Sequence, residues 1–132
     1  MIGVDTNIVI RILVQDDLKQ ARLALNYIKD NCSITPAMIN TIVICEVIWV
    51  LESAYNYSKK EIIVAIDYLL KTKQFLILEK TSVRSALKLY ESSKIDFSDA
   101  LIGHINSEQD CVVTITFDKV ASKTDLYKLL SE

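Results

Sequence analysis

At 132 residues the chain has the length of one domain with a sizeable core, and its 51% apolar content excludes a disordered chain. Two glycines and one proline are too few for the turns of an all-β fold. A net charge of −2 excludes a global basic field for gathering polyanions, so such a ligand would need a local cation or basic patch.

In chain order, Met1 to Val4 predicts a short buried strand. Thr6 to Val14 has helical spacing, with Ile8, Ile12 and Leu13 on one side. Asp16-Asp17 marks a break, and a second helix follows with Ala21, Leu25 and Ile28 inward. Ser33 to Thr35 predicts a brief strand ended by Pro36. Thr41 to Tyr55 is apolar almost all round, which predicts a central, buried helix. Lys59 to Lys71 is amphipathic, with Ile62, Ile63, Ile66, Leu69 and Leu70 pointing one way. Phe75 to Leu78 is a continuous apolar strand. Ser82 to Ser92 predicts a helix with Val83, Ala86, Leu87 and Tyr90 inward, and Asp96 to Ser107 another. Cys111 to Thr116 is β-rich, the stretch from Lys119 has no clear period, and Leu126 to Leu130 fits a last strand or a helical turn.

Short apolar strands separated by helices imply an α/β class, a short parallel β-sheet flanked by helices on both faces. No repeat, low-complexity tract or linker interrupts residues 1–132, so a single domain is expected. In such folds ligands bind at the C-terminal ends of the strands. The odd set of Cys32, Cys45 and Cys111 has no C-x-x-C pair and reads as small apolar residues in a reducing compartment. Asp5 and Asn7 break what would be the apolar region of a signal peptide, and no long uncharged apolar run offers a membrane span. A cytoplasmic protein without membrane contact is the expectation.

Four acids stand out because they lie beside or inside apolar runs: Asp5 after Val4, Glu46 between Ile42 and Leu51, Asp99 in Asp96-Phe97-Ser98-Asp99-Ala100, and Asp118 after Cys111 to Thr116. Burying a carboxylate is costly unless it is paired, hydrogen-bonded or bound to a metal. Each also has a structural alternative. Asp5 could cap the helix at Thr6, Asp118 the turn at Lys119, and Asp96 with Asp99 resembles a capping box. Glu46 has only Ile42, Val43, Trp49 and Val50 around it on its own helix, so burial there would demand a cation from elsewhere; surface exposure or a lysine partner is the alternative. Oxygen-only ligands suit hard cations, Mg²⁺ or Mn²⁺. One histidine, His104, and unspaced cysteines argue against structural zinc, and neither a G-x-S-x-G elbow nor a glycine-rich phosphate loop is present.

The segments Val4-Asp5-Thr6-Asn7, Thr41 to Glu46 with Val47-Ile48-Trp49-Val50-Leu51, Asp96-Phe97-Ser98-Asp99-Ala100-Leu101-Ile102 and Thr114-Ile115-Thr116-Phe117-Asp118-Lys119 resemble the four signature blocks of PIN-domain ribonucleases. Length and block order resemble the VapC-type toxins of toxin–antitoxin pairs. The resemblance implies cleavage of single-stranded RNA that depends on Mg²⁺ (or Mn²⁺), with in-line attack leaving a 5′-phosphate and a 3′-hydroxyl. By position, Asp5, Glu46, Asp99 and Asp118 match the family's catalytic, metal-holding acids. Thr6, Asn7, Asp96, Ser98 and Thr116 match supporting positions. Val120 and Ala121 stand where the family often has a further acid, which leaves the number of metals open. The resemblance also implies an RNA substrate, an antitoxin protein and a homodimer as partners; the apolar residues of Leu23 to Ile28 and Ile62 to Leu70 are candidates for such a surface, with core packing the alternative. A PIN-like RNA- or protein-binding module without nuclease activity is the second reading. A Mg²⁺-dependent phosphatase or receiver-like domain is the third, although those carry paired acids after the first strand and only a single Asp follows Val4 here.

Overall fold

A computed structural model describes residues 1–132. It contains six α-helices and four three-residue strands, with parallel pairing throughout, as expected for the α/β class. The chain forms two compact units, Met1–Leu78 and Glu79–Glu132.

The first unit holds α1 (Thr6–Val14), α2 (Leu18–Asn31), β1 (Ala37–Ile39), α3 (Thr41–Ser53), α4 (Lys59–Lys71) and β2 (Phe75–Ile77). Strand β1 pairs with β2 in the register Ala37↔Phe75 and Ile39↔Ile77. Those four side chains share the buried face, while Leu76 between them is exposed. Helix α4 packs on β2, and α3 packs on α1 and α4; Ile44, Val47 and Leu51 of α3 and Ile62, Ile66 and Leu69 of α4 are all without measurable solvent access. Each of these helices starts on a suitable cap. Asp17 accepts from the Gln20 N–H, Asn40 from Val43, and Ser58 forms a full capping box with Glu61.

Several expectations need correction here. Met1 to Val4 is not a buried strand: it makes one parallel bridge, Gly3↔Met38, with the Val4 N–H donating to the Met38 carbonyl at 3.1 Å, and Met1 is exposed. The strand predicted at Ser33 to Thr35 lies instead at Ala37–Ile39, so Pro36 precedes it rather than ending it. Proline fixes its own φ and lacks only its own N–H, so the ladder can begin at the next residue, whose N–H donates to the Gln74 carbonyl at 2.8 Å. Ile8 and Leu25 face outward, and Val9, Ile10 and Ala24 take the inward positions. The apolar face of α4 is core, which removes Ile62, Ile66, Leu69 and Leu70 from any partner surface, whereas Leu23, Leu25 and Tyr27 of α2 are exposed.

The second unit holds α5 (Lys80–Ser92), α6 (Phe97–Glu108), β3 (Thr114–Thr116), a 3₁₀ turn (Ala121–Lys123) and β4 (Tyr127–Leu129). The predicted inward set of α5, Val83, Ala86, Leu87 and Tyr90, is buried. Tyr90 meets Phe97 of α6 edge-on, with centroids 6.1 Å apart. Strand β3 pairs with β4 from Thr114↔Tyr127 to Thr116↔Leu129, so the tail is a strand. Strand β3 begins later than predicted, because Cys111 and Val112 are exposed and outside the ladder. Gly103 of α6 is the one place where a missing side chain matters: a Cβ there would stand 2.9 Å from Leu126 Cδ1 and 3.0 Å from Tyr127 Cε2.

Candidate active site

Asp5 is the extended N-cap of α1, and its Oδ1 accepts the Ile8 N–H at 3.1 Å. The capping alternative is therefore real, and it commits one oxygen only. A negative charge is also favoured there by the partial positive charge of the helix N-terminus. Thr6, the next residue, donates its hydroxyl to Glu46 Oε1 at 2.9 Å, which ties α1 to α3. Asp5 Oδ2 and Glu46 Oε2 accept no protein hydrogen bond. The Asn7 side chain is exposed and makes no hydrogen bond.

Glu46 itself corrects the sequence reading, since it is exposed rather than buried. Helix α3 turns Val43, Ile44, Val47, Ile48 and Leu51 inward. Glu46 falls on the opposite stripe with Ile42 and Trp49, which are 69% and 68% exposed. The desolvation argument for a compensating cation at Glu46 therefore does not hold in this unit.

In the second unit Asp96 is the N-cap of α6 but makes no side-chain capping bond, and Asp99 in the first turn accepts no hydrogen bond either. The capping-box alternative thus fails for this pair. Asp99 is half-buried, and its carboxyl is held above the usual range by desolvation first, then by the charges of Asp96 and Asp118. Asp118 Oδ1 accepts the Val120 and Ala121 N–H groups at 2.8 and 3.0 Å, which leaves Oδ2 free. Thr116 Oγ1 accepts the Asp118 N–H at 2.9 Å. Ser98 is exposed and makes no hydrogen bond. Asp96, Asp99 and Asp118 line a small cleft of about 100 Å³ with Lys94, Ile95, Val120 and Ala121. No basic side chain forms an ion pair with any of them.

Within neither unit do three His, Cys, Asp or Glu side chains stand close enough to hold a metal ion by themselves. In each unit the donors are oxygens, the kind a hard cation takes. In the first, Asp5 and Glu46 each carry a fixed oxygen and a free one; in the second, Asp118 does the same, and Asp99 is raised by desolvation and by its acidic neighbours. A larger groove of about 600 Å³ runs from Asp5 and Asn7 past Arg11 to Leu23 and Tyr27. Arg11 is already held by Gln20 Oε1 at 2.7 Å and by Asp16 at 3.7 Å. His104 is a half-buried helix residue whose basicity is lowered by burial.

Sequence reasoning missed Tyr127. It is buried, and its hydroxyl donates to the Asp99 carbonyl at 2.6 Å. Burial first, then the charge of Asp99, pushes the phenol up to about 12. The signal that could have found it was Gly103, a glycine inside a helix, which marks a close approach by another segment.

Parallel strands joined by helices, with acids at a helix start and a strand end, define an α/β protein with an acidic site. The model of the PIN domain family matches residues 2–126, and the chain belongs to that family. PIN domains are generally nucleases. No curated protein matches the chain.

Proposed function

We propose that this protein is a Mg²⁺- or Mn²⁺-dependent endoribonuclease that cleaves single-stranded RNA, the toxin of a VapC-type toxin–antitoxin pair. The observation that carries the reading is the carboxylate cluster of the second unit. The Asp99 carboxyl is held up by desolvation first and then by the charges of Asp96 and Asp118, it has no basic partner, and the chain belongs to a family that acts on nucleic acids. Groups arranged to repel one another serve a function more often than stability.

Asp5, Asp99 and Asp118 are the proposed metal ligands, with Glu46 the fourth acid. When bound, the ion supplies a water of lowered pKa and neutralises charge developing on the phosphate oxygens. Asp5 is oriented by the Ile8 N–H and Asp118 by two N–H groups, so neither carboxylate has to be ordered at the moment of binding. Glu46, steadied by Thr6, positions the attacking water through its free oxygen. Water adds to phosphorus in line, the bond to the 3′-oxygen breaks, and the products are a 3′-hydroxyl and a 5′-phosphate. Thr116 holds the backbone at Asp118. Asn7, Ser98 and Asp96 carry exposed polar groups suited to substrate or hydrated-ion contact. Leu23 and Tyr27 are the surface proposed for a second copy or an antitoxin.

The test is cleavage of single-stranded RNA with Mg²⁺, with Mn²⁺ and with EDTA. Asp5→Asn and Asp99→Asn should fold and fail to cut; full activity in either variant overturns the assignment. Growth arrest on expression, relieved by a small neighbouring gene product, separates a toxin from a housekeeping nuclease. RNA binding that survives EDTA without any cleavage would favour the non-catalytic module.

A further inference from the structure

We propose that Tyr127 is a positioning residue for the acidic cluster, a buried phenol that fixes the first turn of α6 and so sets where the Asp99 carboxylate stands relative to Asp118. The inference rests on the nuclease reading for its effect on cleavage, but its geometry lies wholly within the second unit.

Three connections make the device. Tyr127 is 8% exposed, and its hydroxyl donates to the Asp99 carbonyl at 2.6 Å. The phenol oxygen also lies in hydrogen-bonding reach of the Gly103 N–H, so the hydroxyl sits between the Asp99 carbonyl and the N–H four residues on. Gly103 lies one turn above Asp99 on the same helix face. The ring reaches the carbonyl because residue 103 has no side chain; a Cβ would meet Tyr127 Cε2 at 3.0 Å and Leu126 at 2.9 Å. At the other end, β4 is stitched to β3: the Thr114 N–H donates to the Leu126 carbonyl at 2.8 Å and the Leu130 N–H to the Thr116 carbonyl at 2.9 Å. Thr116 in turn receives the Asp118 N–H on its hydroxyl. One continuous path of hydrogen bonds and backbone therefore joins the backbone of Asp99 to that of Asp118 through Tyr127.

Phe97 also anchors the first turn of α6, by packing on Tyr90 of α5. Neither Asp99 nor Asp96 has a side-chain hydrogen bond that would hold the start of α6. Ring packing alone would stabilise the unit without specifying the height of α6 along β4; the hydroxyl specifies it. A buried phenol O–H needs a partner, and this one engages both the Asp99 carbonyl and the Gly103 N–H, across one turn of α6. A hydroxyl held against both ends of that turn fixes its place along β4.

The experiment compares Tyr127→Phe with the wild-type chain by Mn²⁺ calorimetry and by steady-state RNA cleavage. The variant keeps the ring and loses the hydroxyl. Expected are a rise of about 10-fold in the Mn²⁺ Kd and a similar fall in kcat, with the KM for RNA unchanged, as for groups that orient metal ligands. A purely structural role would lower Tm and leave both quantities unmoved in the folded fraction. Gly103→Ala retains the hydroxyl and displaces the ring, so it should reproduce the loss of affinity; it carries the test alone if Tyr127→Phe does not fold. Wild-type Mn²⁺ affinity in a folded variant overturns the proposal, and so does a wild-type chain that binds no Mn²⁺. A wild-type chain that binds Mn²⁺ but cuts no RNA overturns the nuclease reading alone, while the calorimetric comparison still decides the role of Tyr127.

Discussion

At Asp99 partial burial and two neighbouring carboxylates act in the same direction, both opposing ionisation. A carboxyl raised in the folded state holds its proton more tightly there than in the unfolded chain. Its contribution therefore turns unfavourable as pH rises above the ordinary Asp value of about 3.9, and the penalty persists at neutrality. Asp99→Asn removes that penalty, and melting without divalent ions should show a Tm increase of roughly 1–4 °C. Mn²⁺ should raise the wild-type Tm and leave the variant unmoved. A lower Tm in the variant would refute the idea that an ionised Asp99 destabilises this unit. Thr6 acts through Glu46, so Thr6→Val should lower cleavage by about 10- to 100-fold with little loss of stability, as seen by comparing kcat with Tm. The acids themselves could be picked out from sequence because they interrupt apolar runs. The state of each could not, because the second partner, whether Ile8 N–H, Val120 N–H or Asp118, comes from the fold.

Among the elements, α3 shows where pattern reading succeeds and where it stops. Its start follows from Asn40, whose side chain accepts the Val43 N–H at 3.0 Å. Asn40→Ala should cost about 1 kcal/mol, measurable by urea denaturation, and Asn40→Ser should recover most of it. Its facing was not readable, because a helix with apolar residues on nearly every side carries no stripe to choose from. Only the partners α1 and α4 decide that Ile44 points in and Glu46 out. Helix α5, with polar residues on one flank, showed its apolar inward set, although the buried Ser82 beside it was not foreseen. The three-residue strands were harder. Six residues of β-rich sequence at Cys111 to Thr116 yield a ladder of three, since pairing length is set by what β4 offers. Pro36 misled for a related reason: a proline can open a strand as readily as close one.

For the whole molecule, helix content and parallel pairing followed from spacing and composition, while the strand expected at Met1 to Val4 is a single bridge; the family match over residues 2–126 runs through both units. Composition could not reveal that two compact units divide at Glu79, whose backbone is left-handed at φ 53 ahead of α5. Nor does any helix have the length and apolarity to cross a membrane. The core of the first unit is built from branched aliphatics at the limit of burial, Ile39, Ile44, Leu51, Ile62, Ile66 and Leu69. Ile44→Ala leaves a void there and should cost about 2–5 kcal/mol, a large share of the roughly 5–15 kcal/mol that holds a domain of this size. Chemical denaturation would show it as a shifted midpoint at unchanged slope.

Trp49 is the chain's single tryptophan, and it stands one turn from Glu46 on the solvent side of α3. Indole emission thus reports from one known place, with no label to attach. A ligand settling over that stripe should shift the spectrum to the blue, and iodide should quench less well in its presence. The molecule carries its own optical gauge beside an acid proposed for chemistry.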